Sequence, residues 1–459
     1  GLYPIRTGMQ GILFGYDGPW GLPLDVPILP QYLKKRGYET HLVGKWDLGY
    51  YMKEFTPTYR GFDSFYGFYN PDEDYYTHSI PLGNTSCLDF WFNTDPVRSE
   101  NGSYSTTLFT QRAQDIIRYR NESKSLFLLL AYQAVHGATG PAEFEAPLEN
   151  IVKFSYIHER NRTIFAGMVD AMDQSVGEVF QTLHDCGMLE NSVILFISDN
   201  GGIPFGMHSS RSINWPLRGA KLTLWEGGTR AASFIWSPLL DSSRTVSHQL
   251  MHITDWMPTL YSVAGGNAAE LGELDGIDMW SHLNDGSTSP RVEMLYDIDE
   301  LLSFARGVRY GRFKLVVDNS GLYTDRYRPP SGRAPHHALD VLLERSMIAN
   351  VLKDFYGEKD LNLPKNWRQK ATLKCRSKKE NFSSNHTVYL FDIEADPCEL
   401  ENIASSRPDV VAFLKERLSA YEAASAIPLN QRNYSSVPFT IQDGLCAPWV
   451  TAESLQSQL

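Results

Sequence analysis

The sequence predicts an α/β protein: a mostly parallel sheet with helices on both faces, followed by a smaller α+β domain with an antiparallel sheet. Three observations carry this. Strand-length stretches at 38–43, 126–131 and 193–197, the last two apolar throughout, each end in a polar cluster. Amphipathic helical stretches separate them, and a repeated strand, helix, strand order gives parallel pairing. From about residue 293 the pattern changes to alternating runs joined by a tight turn, as in GVRYGRFKLVV at 307–317. The expected domains are therefore 1–292 and 293–459, with a polar insertion at about 320–386.

Each element has its own signal. Residues 29–36 read as a helix with Pro30 in the first turn and Gly37 as the stop. The strand at 38–43 ends in Gly44-Lys45-Trp46-Asp47-Leu48-Gly49. This is not a phosphate-cradling loop, since Glu39 stands where its first glycine belongs and Trp46 where Ser or Thr is required. Residues 50–105 show little periodicity and read as long loops. A helix is expected at 107–119. The strand at 126–131 is followed directly by Gln133, Val135 and His136.

Phe165, Met168, Val169, Met172, Val176, Val179, Phe180 and Leu183 recur at helical spacing, and Gly187 stops that helix. The run at 193–197 then reads as a fully buried strand ending at Ser198-Asp199-Asn200-Gly201-Gly202. A carboxylate beside a carboxamide places two hard oxygen ligands where open α/β sheets bind ligands, and such donors suit Ca²⁺ or Mg²⁺. Asp199-Asn200-Gly201-Gly202 after a strand also reads as a plain turn. Lys221 lies in a segment dense with Trp215, Trp225 and glycines, where a cation can face an anion. Further helices are expected at 254–263 and 405–424, and a strand at 388–393.

At 459 residues, with 42% hydrophobic and 21% charged residues, the chain is an ordinary globular protein large enough for two domains. A formal charge of −12 argues against nucleic acid or an anionic membrane as partner. No apolar run reaches membrane-spanning length. Sequons at Asn84, Asn101, Asn121, Asn161, Asn381, Asn385 and Asn433 fit a glycosylated lysosomal or secreted protein whose signal lies upstream. Five cysteines match no zinc pattern. Cys375 with Cys398 is the favoured disulfide, because both flank one polar loop. Cys186 reads as a buried thiol. Cys87 and Cys446 either pair or have lost their partners.

Seven stretches, in order across nearly the whole chain, carry a resemblance: IRTGMQ, LPQYLKKRGYETHLVGKW, RGFDSFYGF with EDYY after it, LFLLLAYQAVH, VILFISDNGG, NWPLRGAKLTLWEGGTR and LFDIEADPCELENIA. The chain resembles the sulfatase family, most closely its arylsulfatase B branch. The resemblance implies a fold similar to alkaline phosphatase and hydrolysis of sulfate esters of sulfated carbohydrates or aryl sulfates, with N-acetylgalactosamine 4-sulfate in glycosaminoglycans as the suggested substrate. It also implies Ca²⁺ and a formylglycine nucleophile, made by a formylglycine-generating enzyme from the cysteine of a Cys-x-Pro-Ser-Arg motif. Asp199 and Asn200 match metal ligands, Lys45 and Lys221 match sulfate-binding lysines, and His136 matches the histidine that contacts the ester.

Two departures stand out. No Cys-x-Pro-Ser-Arg occurs; in the family it precedes the IRTG stretch, so an N-terminally truncated chain is expected, inactive as it stands. And Asp47 replaces the histidine of the family's Gly-Lys-Trp-His-Leu-Gly, placing negative charge where sulfate is to be held. The alternative reading is therefore a non-catalytic secreted glycoprotein that keeps the fold. A phosphoester hydrolase of the wider superfamily is a third reading, disfavoured by the NWPLRG and WEGG segments.

Overall fold

The structure is a computed structural model that describes residues 1–11, 18–140, 142–204, 211–241, 245–299, 304–318, 323–328, 341–357, 367–375, 380–429 and 439–451. The chain forms two compact units. One comprises Phe14–Leu189, Arg333–Leu361 and Asn433–Leu459, and is called the Lys45 unit; the other, the Asp199 unit, comprises Gly1–Leu13, Glu190–Gly332 and Asn362–Arg432.

The Lys45 unit is built on a five-stranded mixed sheet. Helix α1 (Leu29–Lys35) leads into β1 (Glu39–Lys45), which pairs in parallel with β2 (Ser64–Phe68) and β7 (Leu126–Ala131). The hairpin β3 (Ser79–Leu82) and β4 (Thr85–Leu88) lies apart from this sheet. Short β5 (Trp91–Phe92) and β6 (Asp95–Pro96) close it on the antiparallel side, giving the order β6-β5-β2-β1-β7. Successive residues of β1 face opposite ways. Leu42 joins Phe62, Phe65 and Trp449 on one side, while Val43 joins Phe68, Leu128 and the Phe109 and Ile116 of helix α2 (Ser105–Tyr119) on the other.

Gly44 shows why this strand end carries a glycine. At φ 106° its backbone runs so close to β7 that a Cβ would lie 2.0 Å from the Ala131 carbonyl oxygen. Helix α3 (Arg160–Asp185) packs on α2, and Gly187 ends it in the left-handed conformation. Cys186, at the C-cap of α3, is half-exposed rather than buried.

In the Asp199 unit, β8 (Ile194–Ile197) pairs antiparallel with β9 (Ser233–Trp236). The run expected to be fully buried is half-buried along its length. Its apolar composition signals a strand, but does not encode the direction of its partner. Helix α4 (Trp256–Val263) follows a 3₁₀ turn. Next comes a four-stranded antiparallel sheet of β10 (Glu293–Ile298), β11 (Arg306–Tyr310), β12 (Phe313–Val317) and β13 (Val388–Asp392). The expected hairpin is present, with Tyr310 opposite Phe313. Leu414 and Leu418 of α5 (Pro408–Ala423) cover one face with Tyr3, Val308 and Leu315; Trp225, Tyr389 and Phe391 cover the other. Buried on that face, the Lys314 ammonium lies 2.9 Å from Glu226 and 2.8 Å from Glu399.

The reading of 50–105 as loops is corrected: β2 is a central strand. Its sequence, SFYGF, is five residues long and contains no β-branched residue, so its strand signal is weak. Disulfides join Cys375 to Cys398, as expected, and Cys87 to Cys446.

Candidate active site

Beyond β8 the backbone folds on itself. The Ser198 hydroxyl donates to the Asn200 carbonyl (2.9 Å), and the Asn200 amide donates to the Asp199 carboxylate (2.9 Å). The Asn200 carboxamide nitrogen donates to the Gly201 carbonyl (2.9 Å). Asp199 is exposed and Asn200 half-buried. The loop is then seamed onto two others, main chain against main chain. Gly201 donates to the Gly228 carbonyl (2.9 Å), and Gly227 donates to that of Arg218 (2.6 Å). A Cβ on Gly201 would lie 1.7 Å from the Gly227 carbonyl oxygen, so the WEGG and DNGG glycines are needed for this approach.

Asn214 completes the seam. Its amide donates to the carbonyls of Gly202 (2.9 Å) and Gly219 (3.0 Å), and its side-chain oxygen accepts from the Gly202 amide (3.0 Å). Lys221, half-buried, donates its backbone amide to the Gly202 carbonyl (3.4 Å). Asp199, Asn200 and Lys221 therefore sit on one locked cluster of loops.

Asp199 and Asn200 line a cavity of about 1370 Å³ whose wall includes Arg230, His252, Asp297, Arg309 and Lys374; Lys221 is not part of that wall. Burial, reinforced by Arg291, lowers the pKa of His252 to about 4 and keeps it neutral. Burial raises Asp297 to about 6. The basic residues of the wall are spread over separate segments, and sequence reading missed them.

The Lys45 unit carries the rest of the predicted set. Lys45 ends β1, and its ammonium lies 3.4 Å from the Asp47 carboxylate. Asp47 has φ 50° and donates its amide to the Tyr69 carbonyl (3.0 Å). Trp46 between them is buried, with its indole N–H directed to the carbonyls of Gly49 and Phe55. His136 follows β7, and its Nδ1 lies 2.9 Å from the Gly137 carbonyl and 3.9 Å from the Asp72 carboxylate. The Tyr75 hydroxyl donates to the His136 carbonyl (2.9 Å).

Beneath it Gln133 and Glu73 exchange hydrogen bonds: Gln133 donates to the Glu73 carbonyl (2.7 Å), and the Glu73 amide donates back (3.2 Å). Burial raises Glu73 to about 8, against a hydrogen bond from His78. Asp72 escaped sequence reading; the acidic run Asp72-Glu73-Asp74 was its only local signal.

Adjacent carboxylate and carboxamide oxygens at Asp199 and Asn200 suit a hard divalent cation, as one side of a shell of roughly 6–8 oxygens. Among the described residues no three His, Cys, Asp or Glu side chains gather into a cluster able to hold a metal, at Asp199 or elsewhere. The two residues could supply part of the shell of a divalent cation, not the whole of it.

A profile of the sulfatase family matches residues 1–266. The chain belongs to the sulfatase family. It is 35% identical to arylsulfatase J of Mus musculus over 462 positions, covering 99% of this chain and 72% of that protein. It is 29% identical to N-acetylgalactosamine-6-sulfatase of Mus musculus, covering 62% of this chain and 54% of that protein, about half its length. Among solved structures, the crystal structure of Ps i-CgsB matches 93% of this chain and 81% of its own with a TM-score of 0.70 at 20% identity, a likeness of fold alone. The fold is the alkaline-phosphatase-like α/β fold of the sulfatases, with its C-terminal antiparallel sheet. Sulfatase membership makes the chemistry of the family sulfuric ester hydrolysis, generally with a divalent metal.

Of the sequon asparagines, Asn84, Asn101, Asn121, Asn381 and Asn385 are exposed; Asn161 is half-buried and donates to Glu143 (3.3 Å). Asn433 lies outside the described residues. Among the described residues no helix is long and apolar enough to cross a membrane.

Proposed function

We propose that the protein acts in the hydrolysis of sulfate esters on sulfated sugars, with an N-acetylgalactosamine sulfate of a glycosaminoglycan as the substrate. In this reading Lys45, His136 and Lys221 hold the sulfate group, and Asp199 and Asn200 hold Ca²⁺. The cation, when bound, draws off negative charge that builds on the sulfuryl oxygens. The lysines add electrostatic stabilisation of the same sign, which lets a chain of net charge −12 hold an anion. The observation that carries the reading is the loop seam, which holds Asp199, Asn200 and Lys221 on one rigid cluster in a chain of the sulfatase family. The N-acetylgalactosamine sulfatase among its relatives supports the sugar.

The arylsulfatase B branch, the lysosomal or secreted location and glycosylation at the exposed sequons belong to the same proposal. These 459 residues contain no Cys-x-Pro-Ser-Arg, so this polypeptide by itself is expected to bind sulfate esters without turning them over. Calorimetry with N-acetylgalactosamine 4-sulfate, with and without Ca²⁺, beside an assay with a chromogenic sulfate ester, tests both halves. Calcium-dependent turnover by this polypeptide would refute the second.

A further inference from the structure

Next to the candidate sulfate loop lies a group of side chains that the reading above does not use. Trp215 directly follows Asn214, the residue that locks the Asp199 loop. The guanidinium carbons of Arg326 and Arg328 each lie 5.1 Å from the Trp215 ring centroid. The segment that brings them is held to the same cluster of loops. The Gly219 amide donates to the Asp325 carbonyl (3.0 Å), and the buried Arg218 guanidinium donates to the Thr324 carbonyl (2.5 Å). Arg218 is itself seated over Phe382 at 3.5 Å.

The charges do not cancel. Glu380 lies 3.3 Å from Arg218 and 3.4 Å from Arg326, and Asp325 is exposed in the same segment. Among the described residues three guanidiniums thus stand against two carboxylates, with Lys221 six residues from Trp215. Arg328 is exposed and forms no ion pair among the described residues. A guanidinium stacked on an indole keeps its N–H edge free for a carboxylate or sulfate. The indole also holds the fork in place before any ligand arrives, which removes part of the ordering cost of binding.

We propose that Trp215, Arg326 and Arg328 form a second anion-binding subsite, which takes an acidic group on a sugar neighbouring the sulfated one, so that the preferred ligand is a polyanionic glycan rather than a singly charged sulfate ester. The subsite rests on the sulfated-sugar reading, and the experiment separates the two.

Calorimetry on the full chain compares N-acetylgalactosamine 4-sulfate with a chondroitin 4-sulfate tetrasaccharide, for the wild type and for Arg328→Gln, Arg326→Gln/Arg328→Gln and Lys221→Ala. The tetrasaccharide is expected to bind about tenfold more tightly than the monosaccharide, and Arg328→Gln to remove most of that gain while leaving the monosaccharide unchanged. Arg328→Lys restores only part, because an ammonium lacks the planar fork. Because Arg328 is exposed, loss of fold does not confound its variants, and circular dichroism checks the double variant. A carboxyl-reduced tetrasaccharide identifies the anion: affinity that falls to the monosaccharide level assigns a carboxylate, and affinity that persists assigns a sulfate. Equal affinity of the two ligands for the wild type, or a tetrasaccharide affinity unmoved in both Gln variants, overturns the subsite. A tetrasaccharide that needs Arg328 but is indifferent to Lys221→Ala keeps the subsite and overturns the sulfate-loop reading.

Discussion

Lys45 and Asp47 form an ion pair, with the ammonium nitrogen 3.4 Å from the carboxylate oxygen, at the end of the central strand β1. Both side chains are partly solvated, so the pair is worth up to about 1 kcal/mol. That is enough to compete with an arriving sulfate for the same ammonium.

Asp47→Asn removes the competing charge and keeps the shape. It is expected to tighten the binding of N-acetylgalactosamine 4-sulfate by up to about fivefold, the equivalent of about 1 kcal/mol. Asp47→His, which restores the family residue, is expected to do the same. Calorimetry on the two variants checks this; unchanged or weaker binding would show that Asp47 does not restrain Lys45.

The seam around Gly201 predicts a different kind of sensitivity. A methyl at this position meets the Gly227 carbonyl oxygen at 1.7 Å, backbone against backbone, so a loop must move. Gly201→Ala is expected to cost about 1–3 kcal/mol of stability and to weaken the response to Ca²⁺, because Asn200 moves with its neighbour. Thermal melts with and without Ca²⁺ provide the measurement.

Much of this architecture was legible in the sequence. Helix α3 announces itself through eight apolar residues at helical spacing, and the turn at Tyr310-Gly311 through two flanking strand runs. The close approach of the loops that carry Asp199, Asn200 and Lys221 has a local signal, because the glycines that allow it are adjacent to them in sequence. Strand β2 was not, because an aromatic-Gly run has no distinctive period. The direction of β8 was not, because Ile-Leu-Phe-Ile packs as well against an antiparallel neighbour. Asp72 near His136 and the arginines at Trp215 arise only when segments tens of residues apart are folded together, and local patterning holds no record of that.

Several buried carboxyls give the stability a definite pH dependence. Burial raises Glu73 to about 8, Glu145 and Glu399 to about 7 and Asp297 to about 6. Each takes up its proton in the folded chain before the unfolded chain does, so their contribution is complete below the ordinary carboxyl range and is lost as pH rises through 6–8. His252, lowered to about 4, acts in the opposite sense, and its contribution fades as pH falls from 6.5 towards 4. Between pH 8 and 6.5 these four carboxyls act against one opposing group, the amine of Gly1, which burial lowers to about 6. The melting temperature is therefore expected to rise as the pH is lowered from 8 to 6, and Glu73→Gln to flatten that rise. A melting temperature that falls over the same interval would contradict these assignments.

Titration of the wild type, Lys45→Ala and Lys221→Ala with N-acetylgalactosamine 4-sulfate tests most directly whether the protein recognises a sulfate ester through these lysines. The account predicts binding by the wild type and a loss of about tenfold or more in each variant, as for charge-assisted bonds to an anion. Equal affinity of all three proteins, or no binding by the wild type, would contradict it.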